Sequence, residues 1–184
     1  PNLFQHIVFD PQAAKQEEFP RSLMGVIAAI RQTLSDAQHY KATWDYYQQN
    51  ATSFERPAYN QALAALQPAI QGSQPTVMEP GSVLMIDKAV RLGAEFGIKP
   101  ILVASGQEWR RPDLIKATGA QFIVPLILPK APKMPSDSDW ENVSLGQLRA
   151  WDWAPEVPAM LQKNGQPISL TLHGLKDKNH FRAN

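Results

Sequence analysis

A chain of 184 residues has the length of one ordinary domain, and with 43% hydrophobic and 19% charged residues it can bury a core and is not disordered by composition. A net charge of +1 excludes a global field that would select nucleic acid, so no nucleic-acid partner is expected. The absence of cysteine excludes disulfides and thiolate metal sites but leaves the compartment open, and no apolar run is long enough to span a bilayer, so no membrane partner is expected.

The first residue is Pro1 and no signal-peptide pattern follows, which reads as a processed chain or a piece of a longer one. Residues 1–21 hold a short apolar run, Leu3–Phe9, and then a polar stretch bounded by prolines: a weak strand or extended arm, then a loop. Residues 22–71 read as helical. Ser22 can cap a long helix whose stripe is Ile27, Ile30, Leu34, Ala37, Tyr40, Trp44 and Tyr47, ending near Asn50. Pro57 suits the first turn of a second helix with the stripe Tyr59, Leu63, Leu66 and Ile70, which Pro68 would kink or end early.

From Gly72 the pattern changes to strands and helices in alternation. Pro75–Glu79 reads as a short strand. Ser82 can cap a helix with inner face Val83, Ile86, Val90 and Gly93/Ala94, and a solvated outer ladder of Asp87, Arg91 and Glu95. Gly97 ends it. Pro100–Ala104 is the next strand, Trp109–Thr118 a helix stopped by Gly119, and Gln121–Leu128 a strand of continuous apolar character. Seven of the 16 prolines fall between Pro125 and Pro167 and mark a loop-rich segment, which opens with a long proline-rich loop reaching about Asn142. Helical stretches around Leu145–Trp153 and Pro158–Lys163 follow, then the strand Ile168–Leu172, and His180–Asn184 reads as the start of a new helix.

Glycines precede the strands at Gly72, Gly97, Gly119 and Gly165, the first three spaced by 25 and 22 residues, the length of a βα unit. Apolar strands of this kind suit a parallel sheet covered by helices on both faces. The pattern therefore gives an α/β chain of about four parallel βα units preceded by two helices, either half of a (β/α)8 TIM-type barrel or a small open sheet.

Several stretches resemble the imidazolonepropionase-like branch of the amidohydrolase superfamily: "FPRSLMGVIAAIRQTLSDAQHY" (Phe19–Tyr40), "ALQPAIQGSQPTVMEPGSVLMIDKAVRLGAEFGIKPILVASGQEW" (Ala65–Trp109), "PLILPKAP" (Pro125–Pro132) and "LRAWDWAPEVPAMLQKNGQPISLTLHG" (Leu148–Gly174). Together they cover most of the chain, in order and phrasing rather than in a catalytic motif. The resemblance implies a partial barrel, strands five to eight of eight, within a single domain that is a fragment of a larger hydrolase of non-peptide C–N bonds. Its site would lie at the C-terminal rim of the strands.

The resemblance also implies a divalent metal, zinc, in the intact family fold, held by histidines after strands five and six and an aspartate after strand eight. Those places fall at Met78 or Glu79, at Ala104 or Ser105, and at His173, and none matches; no His-x-His motif is present either. No metal or other cofactor is therefore predicted for this chain, and its metal site reads as degenerate. His173 and Glu79 remain as candidate catalytic residues, the first because imidazole titrates near neutrality, the second because a helix N-terminus would stabilise a carboxylate there. Each has a plainer reading, a rim histidine bonded to a backbone carbonyl and a carboxylate capping nearby amides.

Ser105, Gln107 and Glu108 follow the next strand and are expected to line a pocket. His6, His39 and His180 read as surface or cap histidines, since histidine ligands come in clusters. Trp109, Trp140, Trp151 and Trp153 could stack a ring but suit helix packing, "WDWAP" reads as a helix end docking on the barrel, and "KAPKMPSDSDW" is long enough for a lid whose Lys130 and Lys133 could attract an anion. The expected partners are a small polar ligand at the rim and either a second copy of the chain or the missing part of the barrel. A non-catalytic ligand- or partner-binding barrel module is the alternative to a hydrolase.

Overall fold

The structure, a computed structural model, describes residues 3–11, 19–133, 136 and 141–175. It is an α/β fold of short strands connected by helices, a partial (β/α)8-type barrel, and the two N-terminal helices follow a first short strand of the sheet. The five strands are β1 (Gln5–Val8), β2 (Thr76–Glu79), β3 (Ile101–Val103), β4 (Gln121–Pro125) and β5 (Ile168–Thr171), and sheet order follows chain order. The chain divides into two compact units, Pro1–Met78 with Ala89–Pro100, and Glu79–Lys88 with Ile101–Asn184. Among the described residues no helix is long and apolar enough to cross a membrane.

In the first unit, helix α1 (Leu23–Gln49) starts where expected because the Ser22 hydroxyl accepts the Gly25 amide at 3.1 Å, relieving one of the unpaired donors of the first turn. Its buried residues are Val26, Leu34 and Ala37, while the aromatic end of the stripe, Tyr40 to Tyr47, is half-buried. Helix α2 (Gln61–Ile70) packs on α1, and Gln67 Nε2 donates to the Ala37 carbonyl at 3.0 Å across the pair. The expected start at Pro57 is wrong. The Asn60 side chain accepts the Leu63 amide at 3.1 Å and sets the start at Gln61, leaving Tyr59 outside the helix and exposed. Nor does Pro68 end the helix early: the helix runs past it to Ile70, and the Pro68 carbonyl accepts the amides of Ser73 and Gln74.

Helix α3 (Val83–Glu95) turns a slightly different face inward than expected. Met85, Ala89 and Leu92 are buried with Val83, Ile86 and Gly93, whereas Val90 is half-buried and Ala94 exposed. The difference follows from the small residues: alanine at 89 and glycine at 93, four apart, let neighbouring chain come close. The helix ends in a Schellman motif. Ile98 donates to the Gly93 carbonyl at 2.8 Å, Gly97 donates to the Ala94 carbonyl at 3.2 Å, and Gly97 has φ +69. Glu95 is not part of a solvated ladder, because the Arg31 guanidinium of α1 grips it with two bonds of 2.7 and 3.0 Å.

In the second unit β3, β4 and β5 pair in parallel, with Leu102 opposite Phe122 and Val124 opposite Leu170. Leu102, Phe122, Ile115 and Leu161 are fully buried and form its core. The expected helix Trp109–Thr118 is two pieces, a 3-10 turn at Glu108–Arg110 and α4 (Pro112–Thr118). Arg111 between them has φ −143 because a residue before proline is kept out of the helical region. Strand β4 stops at Pro125 instead of Leu128. Its continuous apolar character does not mean two covered faces: Phe122 and Val124 are buried and Ile123 half-buried, and on β5 Leu170 is 58% exposed.

Helix α5 (Leu145–Trp153) opens with a full capping box between Ser144 and Gln147, and a 3-10 turn at Ala154–Glu156 leads into α6 (Val157–Lys163). Buried Gln166 donates to the Ile115 carbonyl at 2.8 Å, fixing the approach to β5. The expected helix at 180–184 and most of the expected lid, residues 134, 135 and 137–140, with Trp140 and His180, lie outside the described residues.

Candidate functional site

Parallel strands send their carboxyl ends to the same side, so the first residues after β3, β4 and β5 must lie together. In the second unit they enclose a cavity of about 410 Å³. Its wall is Ala104 to Gly106 after β3, Leu126 to Leu128 after β4, and His173 with Gly174 after β5. Glu79 and Gly81 close one side, and Ala154, Val157 and Pro158 from the 3-10 turn and α6 close another. Glu79, Ser105 and His173 thus border one concavity, as parallel strand direction requires.

Gln107 and Glu108 do not line it. They hold Ser105 in place instead. Glu108 is fully buried, and its Oε1 accepts both the Ser105 amide at 2.6 Å and the Ser105 hydroxyl at 2.8 Å. The Gln107 amide in turn donates to Ser105 Oγ at 3.3 Å. The Ser-x-x-Glu spacing lets the Glu108 carboxyl turn back on Ser105 just ahead of the 3-10 turn. That spacing is visible in the sequence, and would have given Glu108 a positioning role instead of a place on the wall. Glu108 Oε2 is buried with no hydrogen-bond partner among the described residues.

His173 is exposed at the cavity mouth. Its own amide donates to Thr171 Oγ1 at 3.2 Å, which bends the chain off the end of β5. Gly174 has φ +80, and a Cβ built there would meet Ile127 Cδ1 at 2.2 Å. Glycine is therefore what lets the β5 turn close against the segment that follows β4. Glu79 is half-buried at the end of β2.

The donor set does not suit a catalytic zinc. Such an ion takes three protein ligands, and among the described residues the cavity offers one carboxylate and one imidazole beside a hydroxyl. Among the described residues no group of three histidine, cysteine or acidic side chains could hold a metal. His6 lies in β1, and on α1 His39 has Nε2 3.5 Å from Thr43 Oγ1, so neither is at the cavity. What the cavity can do is hold a compound with an apolar body against Ala104, Val124 and Val157 while its edge meets a carboxylate, a hydroxyl and an imidazole.

The tryptophans serve a second place in the same unit. Trp109 and Trp153 meet edge to face, centroids 5.2 Å apart, so the end of α5 docks on the 3-10 turn through an aromatic contact. Ala154, next in "WDWAP", is buried, while Trp151 is 46% exposed.

No protein-family model matches the chain, and neither does any curated protein. Among solved structures the chain is similar to an amidohydrolase from Thermotoga maritima MSB8, at 16% identity and a TM-score of 0.74, over 95% of this chain. The match takes in 43% of that protein. The chain therefore shares the fold of part of that protein, and spans less than half the length of the solved structure it matches.

Proposed function

We propose that this chain is part of an amidohydrolase-superfamily protein of the imidazolonepropionase-like branch, and that its rim cavity binds a small polar ligand without hydrolysing it through the chain's own residues. The observation that carries this is the convergence of Glu79, Ser105 and His173 on one cavity of about 410 Å³ that has no third metal donor among the described residues. The fold likeness to a solved amidohydrolase and the quoted stretches support the family. In an intact relative the reaction class would be hydrolysis of non-peptide C–N bonds, with zinc polarising the substrate. Here the Glu79 carboxylate, the Ser105 hydroxyl oxygen and the His173 imidazole border the space where a planar polar edge would sit.

Cyclic imides and ureides have that shape, so succinimide and hydantoin are suitable probes. Calorimetric titration should give saturable binding that weakens roughly tenfold in His173→Ala and in Glu79→Gln, about one good hydrogen bond each. The purified chain should carry well under one equivalent of zinc by elemental analysis. Zinc-dependent turnover of either probe that disappears in His173→Ala would show the site to be catalytic and the proposal wrong.

A further inference from the structure

We propose a second ligand site in the same unit, a cationic and aromatic cleft that binds an organic anion carrying a flat ring. The Trp109–Trp153 pair forms its spine. The Trp109 indole N–H donates to the Gly106 carbonyl at 3.1 Å, and the two rings meet at 87°, so neither ring turns without breaking a contact. On this spine stand two guanidinium groups, Arg110 at 5.0 Å from the Trp109 ring and Arg149 at 5.5 Å from the Trp153 ring.

These two arginines, with both tryptophans and Gly146, line a cleft of about 320 Å³. No carboxylate is among the five, and neither guanidinium makes an ion pair or hydrogen bond with a described residue. Two like charges facing one cleft repel, and an anion between them turns that cost into attraction. Guanidinium stacked on an indole keeps its N–H edges free, and those edges fit the two oxygens of a carboxylate or phosphate. Gly146 helps leave the space open: a Cβ there would lie 3.8 Å from Arg110 Nη2, and a longer side chain would enter the cleft.

The same tryptophan pair also borders a recess of about 200 Å³ lined by Glu156, Val157 and Met160. Its lining is apolar apart from one acid. The ligand that uses both features has an anionic head for the arginines and an aromatic face for the indoles. Glu156 disfavours a second negative charge in that recess, so a singly headed anion is the better fit. Val157 is shared with the wall of the rim cavity, but the arginines are not part of that wall.

The test is titration with benzoate, phenyl phosphate, inorganic phosphate and benzyl alcohol at low salt. It is followed by the indole N–H resonances of Trp109 and Trp153, each assigned by its Trp→Phe variant. One aryl anion at least should bind roughly tenfold more tightly than inorganic phosphate and than benzyl alcohol, and should move both resonances. The tighter of the two identifies the head group as carboxylate or phosphate. Arg110→Met and Arg149→Met should each weaken it by about tenfold, and Arg149→Lys by less, because the charge stays while the fork is lost. Equal binding of benzyl alcohol, indifference to both arginine variants, or dependence on His173 instead of the arginines would overturn the proposal.

Discussion

Gly93 shows how one residue reverses an ordinary expectation. Inside a helix, alanine is favoured over glycine by about 1 kcal/mol. At this position, however, a Cβ would lie 2.7 Å from the Ile98 carbonyl oxygen and 3.1 Å from Pro100 Cδ. That carbonyl belongs to backbone held by the Schellman bonds, so it cannot simply swing away. Gly93→Ala should therefore destabilise the protein by about 1–3 kcal/mol, the range for forcing extra atoms into a packed site. Chemical unfolding that found the variant equal to or more stable than the parent would contradict this close approach. At the same scale, Glu79, Ser105 and His173 were legible because strand direction alone brings them together. Glu108 was expected on the wall, although the Ser-x-x-Glu spacing already offers a carboxyl that turns back on Ser105. The Arg110 and Arg149 cleft was not legible, because its parts lie on two elements brought together only by the docking of Trp153 on Trp109.

Elements were readable where a cap and a stripe agreed. Helix α1 has Ser22 at its start, Asn50 at its end and apolar residues at the right spacing between, and each boundary stands where the sequence places it. Helix α2 was misplaced because two signals competed, proline at 57 and asparagine at 60, and a side-chain cap bond outweighs a favourable φ. What a single element cannot reveal is a partner on another helix. Arg31 and Glu95 are such a case. The hydrogen bond from Arg31 holds the Glu95 carboxyl below its usual range, against the opposing effect of desolvation and with a smaller contribution from the guanidinium charge. A carboxyl lowered in the folded state contributes stability at pH values above its unfolded range. That contribution fades as pH falls through the lowered folded value. The difference in stability between the parent and Glu95→Gln should thus be largest near neutrality, shrink in acid, and shrink also with added salt because both side chains are about half exposed. A difference unchanged from neutral to acidic pH would mean that the pair does not hold in solution.

At the scale of the whole molecule, the edge of the sheet decides the outcome. Strand β5 ends the sheet order, and its Leu170 is 58% exposed although it lies in the middle of a strand. A strand at an edge offers unpaired backbone groups to any other strand, and an uncovered leucine adds apolar area to that offer. Charged residues, prolines or bulges commonly blunt such an edge, and Ile168–Thr171 contains none of the first two. The solved amidohydrolase is more than twice as long as the region matched here. The expected state of this chain in isolation is therefore a homodimer or larger assembly formed through β5, in which a second copy takes the place of further barrel strands. Sedimentation velocity should show the assembly, and Leu170→Lys, a charge placed on the open face, should shift it towards monomer without lowering the unfolding temperature, since the side chain packs little in the single chain. Should the parent run as a monodisperse monomer that binds no hydrophobic dye, the open edge is not an association surface, and the exposure of Leu170 has to be covered by the chain itself.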